Sequence, residues 1–236
     1  MKLFYRTVTL LATAAVLDLT SLTALAFAQL PPTTQTSAQG FFDRGVDKTF
    51  RGDYSGAIED FSQALSRNPN IIEAYCNRGL IRVGLRDYQA AIEDFNSALL
   101  LDPNHADAYN KRGNAFAKLG NLRQAMADFD QALQLDPNLT EAYYNRGVAR
   151  TELGNLQGAS ADYTQAIRLN PTFAEAYNNR GVMRYRLGDS KDAIADLQQA
   201  AQLFREQGNT AAYQQTLNFI RMIQQSLTPK SSTLLP

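Results

Sequence analysis

Apolar and polar positions along this chain follow two different patterns. Val8 to Leu17 is almost entirely apolar, and the run resumes from Leu19 to Phe27 after Asp18. Beyond Gly40 the apolar positions become periodic. Aromatics stand at Phe41, Tyr75, Tyr109, Tyr143 and Tyr177, and glycines at Gly45, Gly79, Gly113, Gly147 and Gly181, each 34 residues after the last. Alanines keep the same step at Ala57, Ala91, Ala125, Ala159 and Ala193, and again at Ala64, Ala98, Ala132, Ala166 and Ala200. Between these series run Phe61, Phe95, Phe129, Tyr163 and Leu197, and four blocks close on Pro69, Pro103, Pro137 and Pro171. Several series that share one period without insertion predict a tandem array.

Each block reads as two helices. Tyr75, Gly79 and Arg82 are four and three apart, on one helical face, and Ala91, Phe95 and Ala98 repeat that spacing on a second segment. A short polar turn lies between them, as in Gly120-Asn121 and Gly188-Asp189. Asp102-Pro103-Asn104 ends a block, because proline lacks the amide hydrogen that a helix interior needs. A glycine inside a helix costs about 1 kcal/mol relative to alanine. Its recurrence predicts that two helix backbones approach closely at Gly79 and Ala91. Asn209 to Leu227 predicts one more helix, with Ala212, Thr216, Phe219, Ile223 and Leu227 in a stripe that Tyr213, Leu217 and Ile220 widen. An array must cover its last apolar face, so this helix is expected to be a cap.

The length and residue series resemble the tetratricopeptide repeat family. The resemblance covers residues 38–207 as five blocks: 38–71, 72–105, 106–139, 140–173 and 174–207. It implies an all-α fold, a right-handed α-solenoid of helical hairpins whose concave groove binds peptides or partner proteins. The first block departs at Phe41-Phe42. The fifth has no closing proline and runs through Leu203-Phe204-Arg205, so its second helix is expected to be longer.

One departure has a physical reading of its own. The residue before each lattice glycine, usually aliphatic in this family, is Arg44, Arg78, Arg112, Arg146 or Arg180. A partly buried arginine needs a counter-charge. Asp60, Asp94, Asp128, Asp162 and Asp196 each follow an arginine by 16 residues. A structural ladder of Arg–Asp pairs is expected, within a hairpin or between neighbours. The functional alternative is a row of groove arginines reading acidic ligands.

The resemblance also implies that the first helix of each hairpin lines the groove. The matching wall residues are Phe42, Cys76, Asn110, Tyr144 and Asn178, then Val46, Leu80, Asn114, Val148 and Val182 one turn on. Beyond them lie Phe50, Gly84, Lys118, Glu152 and Arg186. Glu73, Asp107, Glu141 and Glu175 begin four of these helices, where a negative charge suits the helix dipole. This mixed, mostly uncharged wall suits an extended peptide. Some family members clamp the carboxylate end of a chaperone tail with lysines and asparagines. Phe42, Val46, Cys76, Leu80 and Glu175 stand where those would be needed, so that ligand is not expected.

Composition limits the chemistry further. Lys and Arg total 23 and Asp and Glu total 23, so nothing draws the chain to a phosphate backbone, and no nucleic acid partner is expected. One Cys and one His cannot build a soft metal site, and one Cys cannot close an internal disulfide. Cys76 is expected to be a tolerated groove residue and His105 a solvated linker residue. No catalytic site, metal, cofactor or enzymatic activity is expected. Lys2 and Arg6 followed by the apolar run and Ala26-Phe27-Ala28 read as a signal peptide over 1–28, with Gln29 as the new first residue. Asp18 argues against the alternative, an uncleaved membrane anchor. Residues 29–37, with Pro31, Pro32, Thr33 and Thr34, read as a disordered linker, 208–227 as the capping helix and 228–236 as a disordered tail. The expected protein is exported to the periplasm or beyond, with no membrane span in its mature form. It is a scaffold that binds a protein or extended peptide; the alternative is a structural subunit of a cell-envelope assembly.

Overall fold

The computed structural model describes residues 36–227. The expected signal peptide, the tail and all of the linker except Thr36 and Ser37 lie outside the described residues. The chain divides into two compact units at the Pro69–Asn70 boundary.

The first unit holds one hairpin, α1 (Ala38–Phe50) and α2 (Tyr54–Arg67). Each helix opens on a side-chain cap that satisfies an otherwise orphaned amide. Ser37 Oγ accepts from Gly40 N at 3.0 Å, and Asp53 Oδ1 accepts from Gly56 N at 3.0 Å. Phe61 is fully buried against Gly45, and Phe42 lies on it with ring centroids 5.7 Å apart.

Four hairpins and a last helix make up the second unit. They are α3 (Ile72–Gly84) with α4 (Tyr88–Leu101), α5 (Ala106–Lys118) with α6 (Leu122–Leu135), α7 (Thr140–Glu152) with α8 (Leu156–Leu169), and α9 (Ala174–Arg186) with α10 (Ser190–Glu206), followed by α11 (Thr210–Leu227). The first helix of each hairpin is its A helix and the second its B helix. The B helices of the first three are 14 residues long, and α10 reaches 17, with Leu203 buried at the ordinary end and Phe204 buried in the added turn. Asp87, Asn155 and Asp189 cap their B helices through the amide three residues on. Gly120, Gly154 and Gly188 hold positive φ between the helices, and Arg86 takes the same conformation at φ 65°.

The core runs along the hairpin seams. Ala91, Phe95, Ala98, Ala125, Phe129, Ala132, Ala159, Tyr163, Ala166, Ala193, Leu197 and Ala200 are buried to 1% exposure or less. Each large member contributes about 1.5–3 kcal/mol by leaving water. The lattice glycines stand over these side chains. A β-carbon on Gly79 would lie 2.8 Å from the Phe95 ring, and one on Gly147 would lie 2.7 Å from that of Tyr163. The tight contact is therefore glycine against the aromatic of the opposite helix. Tyr75 packs lower on the seam, with Cys76, Ala98, Leu99 and Ala108.

On α11, Thr216, Ile220 and Ile223 are buried. The two isoleucines join Leu197, and Phe219 meets Tyr185 edge-on at 5.6 Å. Leu227, which the sequence places in this stripe, is 56% exposed. Among the described residues no helix is long and apolar enough to cross a membrane.

Candidate functional site

The arginines and aspartates are placed by the two helices of each hairpin. In the first unit Arg44 Nε donates to Asp60 Oδ2 at 2.7 Å. In the second, Nη2 of Arg78, Arg112, Arg146 and Arg180 meets Oδ1 of Asp94, Asp128, Asp162 and Asp196 at 2.6, 2.7, 2.7 and 2.7 Å. The five aspartates are buried, between 2% and 5% exposed. A second cation one turn along the A helix completes most sites. Lys48 Nζ reaches Asp60 at 2.9 Å, and Arg82, Arg150 and Arg184 reach Asp94, Asp162 and Asp196 at 2.8 Å each. In the third block Phe116 replaces that cation. Burial by itself would push the Asp60 carboxyl up. Hydrogen bonds from Arg44 and Lys48 outweigh it and hold the group below the ordinary carboxylate range.

These arginines also reach backward. Arg112 Nη1 donates to Asn96 Oδ1 at 2.7 Å, Arg146 Nη1 to Asp130 Oδ1 at 2.7 Å, and Arg180 Nη1 to Thr164 Oγ1 at 3.2 Å. Each thus ties its own hairpin together and to the B helix before it. Tyr109, Tyr143 and Tyr177 lie beneath the guanidinium groups at 5.3–5.6 Å. With both partners consumed in packing, the row does not present free arginines to an acidic ligand.

The expected groove wall divides into two sets. Cys76 and Asn110 are buried, at 8% and 5% exposure, rather than lining an open surface. Their register faces the next A helix, where stacking closes over them. Burial pushes the Cys76 thiol up to about 12. Asn110 Oδ1 accepts from Asn145 Nδ2 at 2.9 Å. The same register is used twice more. Tyr144 Oη accepts from Asn179 Nδ2 at 3.3 Å, and Asn178 Oδ1 accepts from Thr216 Oγ1 at 3.1 Å. The pattern within one block does not single out Asn145, Asn179 or Thr216; their signal is a polar side chain 35 or 38 residues after the partner. Burial, and then the Glu175 charge, raise the Tyr144 phenol.

The rest of the wall is half-buried. Val148 and Val182 border the cluster of Ala159, Tyr163 and Met183, and Leu80 and Asn114 occupy the same register on α3 and α5. Phe42 and Val46 are half-buried in the first unit. His105 is not a solvated linker residue: its Nδ1 accepts from Ala108 N at 3.2 Å and caps α5.

At the end of this face a cleft of about 180 Å³ opens between α9 and α11. Asn178 and Val182 come from α9, Phe204 from α10, and Ala212, Gln215, Thr216 and Phe219 from α11. Among the described residues no three His, Cys, Asp or Glu side chains gather as metal ligands.

Known proteins agree with this architecture. No curated protein matches the chain. Among solved structures, MamA aligns with a TM-score of 0.63 at 25% identity, over 70% of this chain and 96% of its own. YrrB, described as a TPR protein with an unusual peptide-binding site, aligns with a TM-score of 0.59 at 22% identity, over 75% and 92%. PilW, described as a widely conserved type IV pilus biogenesis factor, aligns with a TM-score of 0.64 at 21% identity, over 81% and 98%. The family profile described as TPR repeat matches residues 86–120, 113–154 and 149–188, and that described as tetratricopeptide repeat matches 174–207. Together the profiles span 86–207, more than half of the 236 residues, and with the hairpin packing they place this chain in the tetratricopeptide repeat family, an all-α fold of protein-interaction scaffolds.

Proposed function

We propose that this chain is an exported scaffold that holds an extended segment of another protein along the A-helix face of its second unit. The observation that carries the reading is how the polar groups are divided. The strongly charged groups next to the lattice glycines are paired inside the hairpins, while the wall itself presents Leu80, Asn114, Val148 and Val182. Amide and aliphatic side chains can bond a peptide backbone and cover its apolar residues without selecting a net charge. YrrB, similar in fold, is a protein described by its peptide-binding site, and that likeness supports the same class of ligand here. The apolar run from Val8 to Phe27 behind Lys2 and Arg6 supports export. No catalytic step is part of this role.

The test is site-specific photo-crosslinking in the native cell. A photoreactive phenylalanine at Asn114 is expected to capture one dominant foreign protein, and the same group at Gln198, on the exposed side of α10, is not. Capture at Gln198 alone, or of further copies of this chain, would replace the groove reading with that of a structural subunit. Sequencing the N-terminus of the recovered chain tests export. A start at Gln29 is expected, and a start at Met1 removes cleavage from the reading.

A further inference from the structure

The cleft between α9 and α11 lies where the hairpins give way to the last helix. One hairpin earlier, the register of Asn178 is filled by Tyr144. That ring packs on Phe173 at 4.7 Å and on Tyr163 at 5.9 Å, and so closes the space between successive A helices. At the last interface Asn178 is shorter, and Ala212 of α11 borders the same space. Cys76 and Asn110, equally short, are closed over by stacking, whereas here α11 follows the longer α10, with Thr216 38 rather than 35 residues after its partner, and the space stays open. The floor is Phe204, 4% exposed, and Val182 and Phe219 form apolar sides.

Size and polarity select the occupant. Pockets for drug-sized molecules and cofactors run from about 300 to 1,000 Å³. At about 180 Å³ this cleft is too small for one, and large enough for a single aliphatic side chain. No charged residue lines it, so neither an acidic nor a basic side chain would find a counter-charge there. Thr216 is already bonded to Asn178, whereas Gln215 stands exposed at the rim, where its amide can meet a peptide backbone. We infer that the cleft is the anchor subsite for an extended peptide, taking one leucine-sized uncharged side chain while Gln215 holds the adjoining backbone. This rests on the groove reading above and adds the partner's chemistry and its register.

The test uses three blocked pentapeptides, Gly-Ser-Xaa-Ser-Gly with Xaa as Leu, Asp or Lys, titrated into the isotope-labelled full chain and followed by amide chemical shifts. The Leu peptide is expected to shift Val182, Gln215, Thr216 and Phe219 saturably, and the other two to bind at least about tenfold more weakly. Asn178→Tyr, which inserts the side chain the array itself carries one hairpin earlier, is expected to abolish those shifts and leave the remaining spectrum in place. Gln215→Ala, which keeps the cleft open, is expected to weaken binding about fivefold through the lost backbone contact. Unmoved cleft amides, equal response to all three peptides, or undiminished binding in a folded Asn178→Tyr chain would overturn the subsite. Shifts confined to the α3 and α5 wall around Leu80 and Asn114 would overturn it too, while leaving the groove reading standing. Cleft shifts combined with foreign capture only from Gln198 would sustain the subsite and remove the groove.

Discussion

Arg112 and Asp128 face each other across one hairpin, sixteen residues apart in sequence, and they form the one Arg–Asp site among the described residues in which Phe116 stands where the other hairpins supply a second cation. The two partners are unequal. Asp128 is buried, while Arg112 also bonds Asn96 and can reach water. Removing the arginine strands a carboxylate; removing the aspartate leaves the guanidinium other partners. Arg112→Ala is expected to cost about 3 kcal/mol or more, and Asp128→Ala about 1–3 kcal/mol. Denaturant unfolding of the two variants checks the order. Equal losses would show that the pair is not seated in the core as described.

A glycine-to-alanine change should have opposite signs at two places. At Gly147 the new β-carbon meets the buried Tyr163 ring at 2.7 Å, so the seam must part, at about 1–3 kcal/mol. At Gly84 nothing lies within 4 Å, and alanine should add about 0.5–1 kcal/mol by reducing the freedom of the unfolded chain. Thermal melting of both variants decides it. A stable Gly147→Ala chain would remove the close-packing explanation for the whole glycine series.

Arg86 carries positive φ where the corresponding turns carry Gly120, Gly154 and Gly188. A side chain in that conformation is strained, and glycine is not. Arg86→Gly should therefore stabilise the chain by about 0.5–1 kcal/mol, an unusual result for a change to glycine. A lowered melting midpoint would contradict the turn geometry.

Alkaline pH should loosen the second unit from inside. Burial pushes the Cys76 thiol from 9.0 up to about 12 and the Tyr163 phenol from 10.0 up to about 12. Both groups are held neutral in the fold. The stability they contribute is complete below their unfolded values and is lost as pH rises through the folded ones. Melting midpoints should hold up to about pH 9 and fall between there and about pH 12. In the same fold Cys76 should resist thiol reagents at about pH 8 and react once denaturant is added.

The repeat lattice makes some relationships legible and hides others. Arg112 and Asp128 lie 16 residues apart inside one hairpin, so a single period suffices to expect them as partners, whereas Gly79 reads as facing Ala91 and in fact meets the Phe95 ring. Asn110 with Asn145 and Tyr144 with Asn179 lie across a stacking interface. Their register depends on how one hairpin leans on the next, which the pattern within a block does not contain. Cys76 and Asn110 read as groove wall for that reason, although their side of the helix is the one stacking closes. The second cations Lys48, Arg82, Arg150 and Arg184 are hidden by chemistry: Phe116 breaks their series, so they do not read as one. The cleft has no signature in the period because it lies at the last interface, where the partner offset changes from 35 to 38 residues.

The backward reach of Arg112, Arg146 and Arg180 gives the array a polarity along the chain. Each of these arginines lands on the B helix of the hairpin that precedes it in the chain. The same guanidinium closes its own hairpin on the aspartate sixteen residues later. Removing one hairpin would therefore cost its successor a bond as well as its own contacts. At α11 the mortar changes: Ile220 and Ile223 settle on Leu197, and oil takes over from charge.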